Sequence, residues 1–334
     1  MAKGLSIHIG LNRVDSSGYN GWDGQLSACV NDAQAMQSIA KSLGYSPILL
    51  LNEQATSSQV LKFLGEAAQQ LVTGDILLLT YSGHGGQIPD VNGDEDDKLD
   101  ETWVLYDREL IDDELYAMWS QFNAGVRIFM LSDSCHSGTI TKVRAYEQLS
   151  AAAPVVKKYR GEGNKPPAFR LMPWNIQIET YQQHADMYDT LQWKAVKGNR
   201  APIGASVILI SGCMDNQLSA DGDQNGLFTG TLLKVWKNGA FVGNYAKFRQ
   251  DIVKLMPGTQ TPNYLKVGSV NANFENQKPF TISDQTAGTG GAQGTTTGQG
   301  GTQAPTYGTT ETTEETGWPT GTTETTEETG WEGW

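Results

Sequence analysis

The sequence predicts an α/β fold with a mainly parallel central sheet covered by helices on both faces. Two runs of large apolar residues, 76–79 and 128–131, leave no polar face for solvent, which is typical of fully buried parallel strands. Strands and helices with one apolar stripe each alternate in β-α-β-α-β order over residues 5–81, which favours parallel strands joined by crossover helices. Each apolar run ends in small and polar residues, where open α/β sheets carry their chemistry.

The first half of the chain can be divided into elements in order. Apolar residues at helical spacing place a helix that ends at Leu43, and Asn31 or Asp32 is positioned to cap its start. Ser57 or Ser58 is positioned to cap the next helix. The predicted elements are strand 5–9, the helix to residue 43, strand 48–51, a helix to residue 71, strand 75–81, strand 102–106, helix 112–122 and a strand ending before residue 135.

The second half is regular only after a long irregular segment. Residues 139–203 contain basic residues, prolines and isolated aromatic residues, which predicts a loop or insertion; a small helix over 180–196 is the alternative. Beyond this segment the pattern predicts strand 205–210, helices 227–236 and 245–255, and strand 264–267.

The C-terminal tail has a different composition. Residues 286–334 are rich in Gly, Thr and Glu with almost no aliphatic side chains, so we expect them to be disordered. A 13-residue segment ending at Trp318 is repeated and ends again at Trp331. This repeat is too short and polar to be a solenoid unit, so we interpret the tail as presenting two Trp-containing motifs to an unidentified partner.

Charge and cysteine content narrow the class of protein. The net charge is −13, and a chain without a basic surface is not expected to bind nucleic acid. Cys29, Cys135 and Cys213 are widely spaced and lack metal-ligand spacing, which favours a reducing cytoplasm. The N-terminus has no signal-peptide pattern and no segment approaches about eighteen apolar residues, so we expect a soluble cytoplasmic protein without a membrane partner.

A histidine and a cysteine follow the two buried runs. Singly, each has an ordinary structural explanation, since most free cysteines are small buried hydrophobic residues. Together, His84 and Cys135 are expected at the same edge of the sheet, as a nucleophile with its base, and their separation of about 50 residues is typical of caspases. Consecutive strand residues point in opposite directions, so we interpret the neighbouring His136 as structural.

Several motifs, in order along the chain, resemble those of the metacaspases and of their bacterial relatives, the orthocaspases. The two active-site motifs of that family are matched by Ser82-Gly83-His84-Gly85 and Asp133-Ser134-Cys135-His136-Ser137-Gly138. Further similar segments are 29–32, the acidic residues 94–101 with the pair 112–113, and 210–221.

The resemblance extends over residues 5–267 and implies a caspase-like three-layer α/β/α sandwich. It implies a peptidase domain of residues 1–285, with a large-subunit part of about 1–140, a linker of about 139–203 and a small-subunit part of about 204–285. Metacaspases are generally monomers, and the resemblance implies the same here.

The resemblance also implies a cysteine endopeptidase mechanism. Cys135 would attack the scissile carbonyl as a thiolate, and His84 would accept its proton and later protonate the leaving amine. The backbone N–H groups of Gly85 and Cys135 are the expected oxyanion donors. The sequence shows no third member of a triad, and this chemistry requires no cofactor.

By resemblance, Asp32, Ser82 and Asp133 line the pocket for the first substrate residue. Two carboxylates in a partly desolvated pocket favour a guanidinium or ammonium group, so the expected substrates are peptides or proteins cut after Arg or Lys. The alternative for Asp32 is the helix cap, and the two roles are compatible.

The calcium site of metacaspases has four Asp ligands, which correspond here to Asp100, Asp112, Asp113 and Lys142. A lysine removes one ligand and adds a positive charge, so the pattern weakens the expectation of calcium activation, although oxygen ligands remain nearby. A solvated acidic loop is the ordinary explanation of these residues.

The predicted linker, residues 139–203, contains a group of basic residues. A peptidase with basic specificity is expected to process itself at Lys157, Lys158 or Arg160, whereas the alternative is a basic solvated loop.

Two further functions stay open beside the Arg/Lys endopeptidase. One is a catalytically weak caspase-like binding module acting through its Trp-repeat tail. The other is an enzyme of the same clan with a different specificity. The presence of both His84 and Cys135 favours an active peptidase.

Overall fold

A six-stranded sheet lies at the centre of the structure, a computed structural model that describes residues 1–93, 95, 98–135, 168–198, 202–214 and 217–283, all within one unit, Met1–Gly288. In chain order the strands are β1 (Gly4–Gly10), β2 (Ser46–Leu51), β3 (Ile76–Ser82), β4 (Gly85–Pro89), β5 (Leu99–Val104), β6 (Glu109–Ile111), β7 (Arg127–Asp133), β8 (Ser206–Ser211) and β9 (Asn263–Gly268). The central sheet has the order β2-β1-β3-β7-β8-β9, and only β9 is antiparallel to its neighbour. The predicted mainly parallel sheet is therefore confirmed.

Helices cover both faces of this sheet. In chain order they are α1 (Cys29–Ser42), α2 (Ser57–Gln70), α3 (Asp112–Trp119), α4 (Trp174–Gly198), α5 (Leu227–Trp236), α6 (Tyr245–Leu255) and α7 (Ala272–Asn276). Buried residues of α2 and α3 form one apolar cluster with alternate residues of the strands, and those of α1, α5 and α6 form another with the remaining residues. Because strand side chains alternate between faces, these two clusters make the three-layer α/β/α sandwich that was predicted.

A small antiparallel sheet of β4, β5 and β6 follows directly after β3. The strand predicted at 102–106 corresponds to β5 and belongs to this sheet, whereas β4 and β6 were not predicted. β4 reads Gly85-Gly-Gln-Ile-Pro89, and glycine and proline have low strand propensity, so local sequence gives no strand signal there.

The predicted cap of α1 is wrong. The N-cap residue is Ala28, which makes no side-chain cap, and Asp32 lies inside the first turn. The carboxylate of Asp221, distant in sequence, instead accepts hydrogen bonds from the N–H groups of Ser27 at 2.8 Å and Ala28 at 3.3 Å. Within the first turn, the N–H of Val30 donates to the side chain of Asn12 at 3.1 Å. Tertiary contacts therefore satisfy the start of the helix, and Asp32 is not needed as its cap.

The predicted cap of α2 is displaced by one residue. Thr56 is the N-cap, and its hydroxyl accepts a hydrogen bond from the N–H of Gln59 at 3.3 Å. Ser57 is the first helical residue, and its hydroxyl donates to Asp107 at 2.8 Å. Neighbouring Ser and Thr residues all carry a hydroxyl, so sequence alone does not distinguish which one caps.

The irregular segment is partly helical. Of the two alternatives for 180–196, the helix is observed, because α4 covers it with a kink at His184. His136, Lys142, Lys157, Lys158 and Arg160 lie outside the described residues, as does the whole predicted disordered tail, 286–334. Among the described helices, none combines the length and apolar character needed to cross a membrane.

Candidate active site

The carboxyl ends of β3 and β7 bring the two candidate catalytic residues together. The strands are parallel neighbours with Ser82 paired to Asp133, so His84 and Cys135 each lie two residues beyond the same register position. The backbones approach so closely here that a Cβ on Gly85 would lie 1.8 Å from the carbonyl oxygen of Cys135. Only glycine fits this position, and both candidate side chains are buried.

His84 is oriented by a backbone carbonyl. Its Nε2 lies 3.1 Å from the carbonyl oxygen of Gly24 and must donate, because a carbonyl only accepts. Nδ1 is therefore the ring nitrogen left to take up a proton. The ring of Trp22 packs on the imidazole with centroids 4.7 Å apart.

Burial lowers the pKa of His84 to about 4, against the raising effect of the hydrogen bond to the backbone of Gly24. The imidazole is thus neutral near pH 7, the form required of a base. Sequence reasoning missed Gly24, because a backbone carbonyl leaves no signal in the residue type.

The thiol of Cys135 contacts the backbone after β8. The N–H of Ser219 donates to its Sγ at 2.9 Å, and Sγ lies 3.6 Å from the carbonyl oxygen of the same residue. The backbone of Ser219 therefore holds the Cys135 side chain in place through both its N–H and its carbonyl oxygen.

The three residues predicted to line the substrate pocket converge on one side chain, Arg170, that was not predicted. The Arg170 guanidinium contacts Asp32 at 2.6 Å and Asp133 at 2.9 Å. It also contacts Asp221 at 3.1 Å and donates to the Ser82 hydroxyl at 2.8 Å. All of these side chains are buried, so the pocket is filled by a basic residue of the chain itself.

The carboxylates of the pocket are held by other groups as well. Asp32 accepts hydrogen bonds from the side chain of Asn225 at 2.8 Å and from the N–H of Gly226 at 3.1 Å. Asp133 accepts from the hydroxyl of Thr229 at 2.6 Å. These donors fix the carboxylates in position before any ligand binds, and they come from the segment just before and within α5.

Acidic side chains outnumber basic ones in this pocket, where three carboxylates surround one guanidinium. Burial raises the pKa of Asp32 to about 6, with Arg170 lowering it and Asp133 raising it. Burial lowers the pKa of Arg170, but Asp133, Cys29, Asp32 and Asp221 together raise it well above its usual range. The pocket therefore carries excess negative charge and favours a cation.

The backbone of Arg170 meets the predicted oxyanion donors. Its carbonyl oxygen accepts hydrogen bonds from the N–H of Gly85 at 2.9 Å and from the N–H of Cys135 at 3.1 Å. Its own N–H donates to the carbonyl oxygen of Ser219 at 2.9 Å. The two predicted donors thus converge on a single carbonyl oxygen beside the candidate nucleophile.

Asp100, Asp112 and Asp113, three of the four predicted calcium positions, are neighbours in the structure. Burial, followed by Glu101, Asp100 and Asp113, raises the pKa of Asp112 well above its usual range, which indicates crowded carboxylates. Within the described part of the chain, no three acidic, histidine or cysteine side chains are placed to hold one metal ion. Lys142, the fourth predicted position, lies outside the described residues, so calcium binding stays a prediction and no step of the mechanism is assigned to a metal ion.

A family model described as Caspase domain matches residues 14–275. The chain belongs to the caspase domain family. It is similar to Metacaspase-1 of Coccidioides immitis, with 30% identity over 254 residues, 69% of this chain and 53% of that protein. Metacaspase-1 of Mycosarcoma maydis is 30% identical over 247 residues, 68% of this chain and 60% of that protein. The caspase domain chain thus spans just over half the length of these relatives.

A solved structure has the same fold. The crystal structure of protein GSU0716 from Geobacter sulfurreducens is 46% identical, with a TM-score of 0.74, and the match covers 84% of this caspase domain chain and 99% of that chain. The resemblance to metacaspases in the sequence is therefore confirmed at the level of family and fold.

Proposed function

We propose that this caspase domain hydrolyses peptide bonds on the carboxyl side of Arg or Lys, with Cys135 as nucleophile and His84 as base. One observation carries the proposal. The residue whose guanidinium fills the acidic pocket, Arg170, is the same residue whose carbonyl oxygen accepts from the N–H groups at Gly85 and Cys135. One basic residue can therefore place its side chain in the acidic pocket and, at the same time, its carbonyl group beside the candidate nucleophile.

The mechanism follows from these contacts. The Cys135 thiolate adds to the scissile carbonyl carbon, and the developing oxyanion is stabilised by the N–H groups of Gly85 and Cys135. His84, held through Nε2 by Gly24, transfers the proton from Nδ1 to the leaving amine and then activates the water that hydrolyses the thioester. The nucleophile and base supply this chemistry, so it requires no cofactor.

The pocket favours Arg over Lys. The planar guanidinium reaches Asp32, Asp133 and Asp221 at once, whereas an ammonium is a compact charge with fewer directed donors. A substrate with Asp at this position would add a negative charge to a pocket that already holds an excess of them.

Fluorogenic peptides ending in Arg, Lys or Asp test the proposal on the wild type and on Cys135→Ala. We expect the wild type to hydrolyse the Arg and Lys peptides, the Arg peptide faster. Cys135→Ala should abolish this activity, and a calcium chelator should leave it unchanged. Turnover of the Asp peptide instead contradicts the pocket assignment. No turnover of any peptide favours the alternative of a binding module.

We further propose that the enzyme works in the cytoplasm as a monomer on peptide or protein substrates. All three cysteines are free, which suits a reducing compartment. Size-exclusion chromatography with light scattering tests the monomer.

A further inference from the structure

We propose that Trp22 is a positioning residue of the active site, whose indole covers one side of the His84 imidazole, keeps water away from it and fixes its orientation. None of the sequence motifs points to this residue. The inference rests on the proposed function, because it concerns the base of that reaction, and it adds a residue that acts through His84 rather than on the substrate.

Two groups of the segment between β1 and α1 meet the imidazole. The carbonyl oxygen of Gly24 lies 3.1 Å from Nε2 of His84, and the indole of Trp22 packs against the imidazole with centroids 4.7 Å apart and ring planes tilted by 59°. A hydrogen bond at one ring nitrogen still allows the ring to turn about that bond, whereas a large side chain packed beside the ring blocks the turn. The two contacts together hold the imidazole in one orientation.

Gly24 allows both contacts to come from one short segment. Its φ is +59°, in the left-handed region, and a Cβ at this position would lie 3.2 Å from Cη2 of Trp22 and 3.4 Å from Cδ2 of His84. The chain therefore turns tightly enough to present a carbonyl and an indole to the same imidazole.

The indole is itself held in place. The N–H of Trp22 donates to the carbonyl oxygen of Tyr19 at 2.9 Å, and the N–H of Val14 donates to that of Asp23 at 3.0 Å. The Tyr19 ring meets the indole edge-on with centroids 6.1 Å apart, and its hydroxyl donates to the carbonyl oxygen of Leu105 at 2.6 Å. A side chain supported in this way can restrain its neighbour.

The indole also separates the imidazole from solvent. Trp22 is half-buried, whereas His84 is only 6% exposed. A base that accepts a proton and then returns it to the leaving amine works best where water does not compete for that proton. Covering the imidazole therefore serves the reaction as well as the packing.

Burial is the main cause of the low pKa of His84, about 4, while the charge of Asp221 raises it and that of Arg170 lowers it. The Cys135 thiol is the partner in the reaction, and Asp23, beside Trp22, is exposed. Removing the indole leaves all these groups in place and admits water to the imidazole. Because water stabilises the charged form, the pKa of His84 should rise, and the acid limb of kcat/KM should move to higher pH.

The experiment compares wild type with Trp22→Ala, Trp22→Leu and Trp22→Phe. It measures kcat and KM for an Arg peptide as a function of pH, and it titrates the His84 imidazole by NMR, with the signal assigned by its loss in His84→Gln. Trp193→Ala removes an exposed tryptophan of α4 and is the matched control, expected to behave as wild type.

Trp22→Ala should raise the pKa of His84 by at least about one unit, towards its ordinary value of about 6.5, and shift the acid limb by the same amount. On the pH plateau kcat should fall about 10-fold, because the base is less well oriented, while KM changes less than about twofold, because the acidic pocket is untouched. Trp22→Phe, which keeps an aromatic ring, should recover most of kcat.

Circular dichroism checks the folding of each variant, and Trp22→Leu, which fills more of the space, replaces Trp22→Ala if the latter does not fold. An unchanged pKa of His84 in the folded variant overturns the inference. So does a loss of kcat that is equal in the Ala, Leu and Phe variants, since that would indicate packing alone.

The outcomes separate the two proposals. Wild-type turnover of Arg peptides with an acid limb that no Trp22 substitution moves overturns the role of Trp22 and leaves the proposed function standing. No turnover by wild type overturns the proposed function, whereas the NMR titration still decides whether Trp22 controls the protonation of His84.

Discussion

Asp221 forms part of the acidic pocket although the sequence assigned it no role. It contacts the guanidinium of Arg170 and also the N–H groups at Ser27 and Ala28 at the start of α1. A single carboxylate thus links the pocket to the helix that carries Asp32, and the proposed function gives it a part in substrate specificity as well as in local structure.

Replacing Asp221 should weaken substrate binding more than the chemistry. Asp221→Asn keeps the shape but loses one charged partner of the substrate guanidinium, worth about 1.5–3 kcal/mol for a charged hydrogen bond. We expect KM for an Arg peptide to rise by about 10-fold or more with a smaller change in kcat. Asp251→Asn, on the partly exposed face of α6, is the control and should leave both constants unchanged. A large fall in kcat at constant KM would contradict the assignment.

His8 makes stability depend on pH. It is buried between Thr80 and Ser6, at 2.9 and 3.0 Å, and burial, followed by the charge of Lys41, lowers its pKa to about 3. A histidine with a lowered folded-state pKa contributes stability that is present above the unfolded value of about 6.5 and is lost as the pH falls towards about 3.

The free energy of unfolding should therefore fall on acidification from about pH 6.5, by at most about 1.4 kcal/mol per pH unit for each such histidine. Urea unfolding of wild type and His8→Gln at several pH values measures this. The free energy of unfolding should depend less steeply on pH in the variant than in wild type. His84, whose pKa is lowered to about 4, should add the same pH dependence in both proteins. Parallel curves would show that His8 does not contribute.

At the scale of elements, Tyr81 joins β3 to the small antiparallel sheet. Its hydroxyl donates to the carbonyl oxygens of His84 at 2.6 Å and Val104 at 3.1 Å, and its ring stacks on Trp103 with centroids 4.4 Å apart. The backbone of His84 is thereby fixed by a residue on the strand that precedes it.

Tyr81→Phe should affect both stability and rate. Two buried carbonyl groups lose a donor, which we expect to cost about 1–3 kcal/mol of unfolding free energy, measured in urea. kcat should fall more than KM rises, because the base is less firmly positioned while the pocket is untouched. Tyr116→Phe, at an exposed position on α3, is the control. Equal stability and kcat in Tyr81→Phe and wild type would contradict this role.

At the scale of the whole molecule, one end of β7 leads to the candidate active site and the other end stabilises the fold. The carboxyl end leads to Cys135, whereas the amino end carries the buried Arg127. The Arg127 guanidinium donates to the side chain of Gln277 at 2.7 Å, to Ile282 at 2.5 Å and to Gly74 at 2.6 Å. It therefore ties the segment after α7 to the sheet, far along the strand from the site.

Arg127→Leu should destabilise the domain strongly. The substitution leaves several buried acceptors without their donor, and each unsatisfied group costs about 1–3 kcal/mol. Thermal unfolding measures the loss, and Arg13→Leu, which removes an exposed ion pair with Glu53, should cost less than about 1 kcal/mol. Similar losses in the two variants would contradict the role of Arg127.

The sequence by itself determined the central sheet, most helices and the candidate nucleophile and base. Hydrophobic periodicity acts over neighbouring residues, so β3 and β7 were predicted from their apolar runs, and α5 and α6 were predicted at their observed bounds. Parallel pairing then requires that His84 and Cys135 meet at one edge.

Only the tertiary structure decided what fills and completes the site. Gly24 acts through its backbone carbonyl, which every residue type has. Arg170 is one of several basic residues in the same irregular segment, and nothing in the local sequence distinguishes it from Lys157 and Lys158. Its partners lie far away along the chain, 138 residues for Asp32 and 51 for Asp221. Contacts over such distances depend on how the strands and loops pack, which local propensity does not encode, so the arginine in the pocket became visible only in the folded chain.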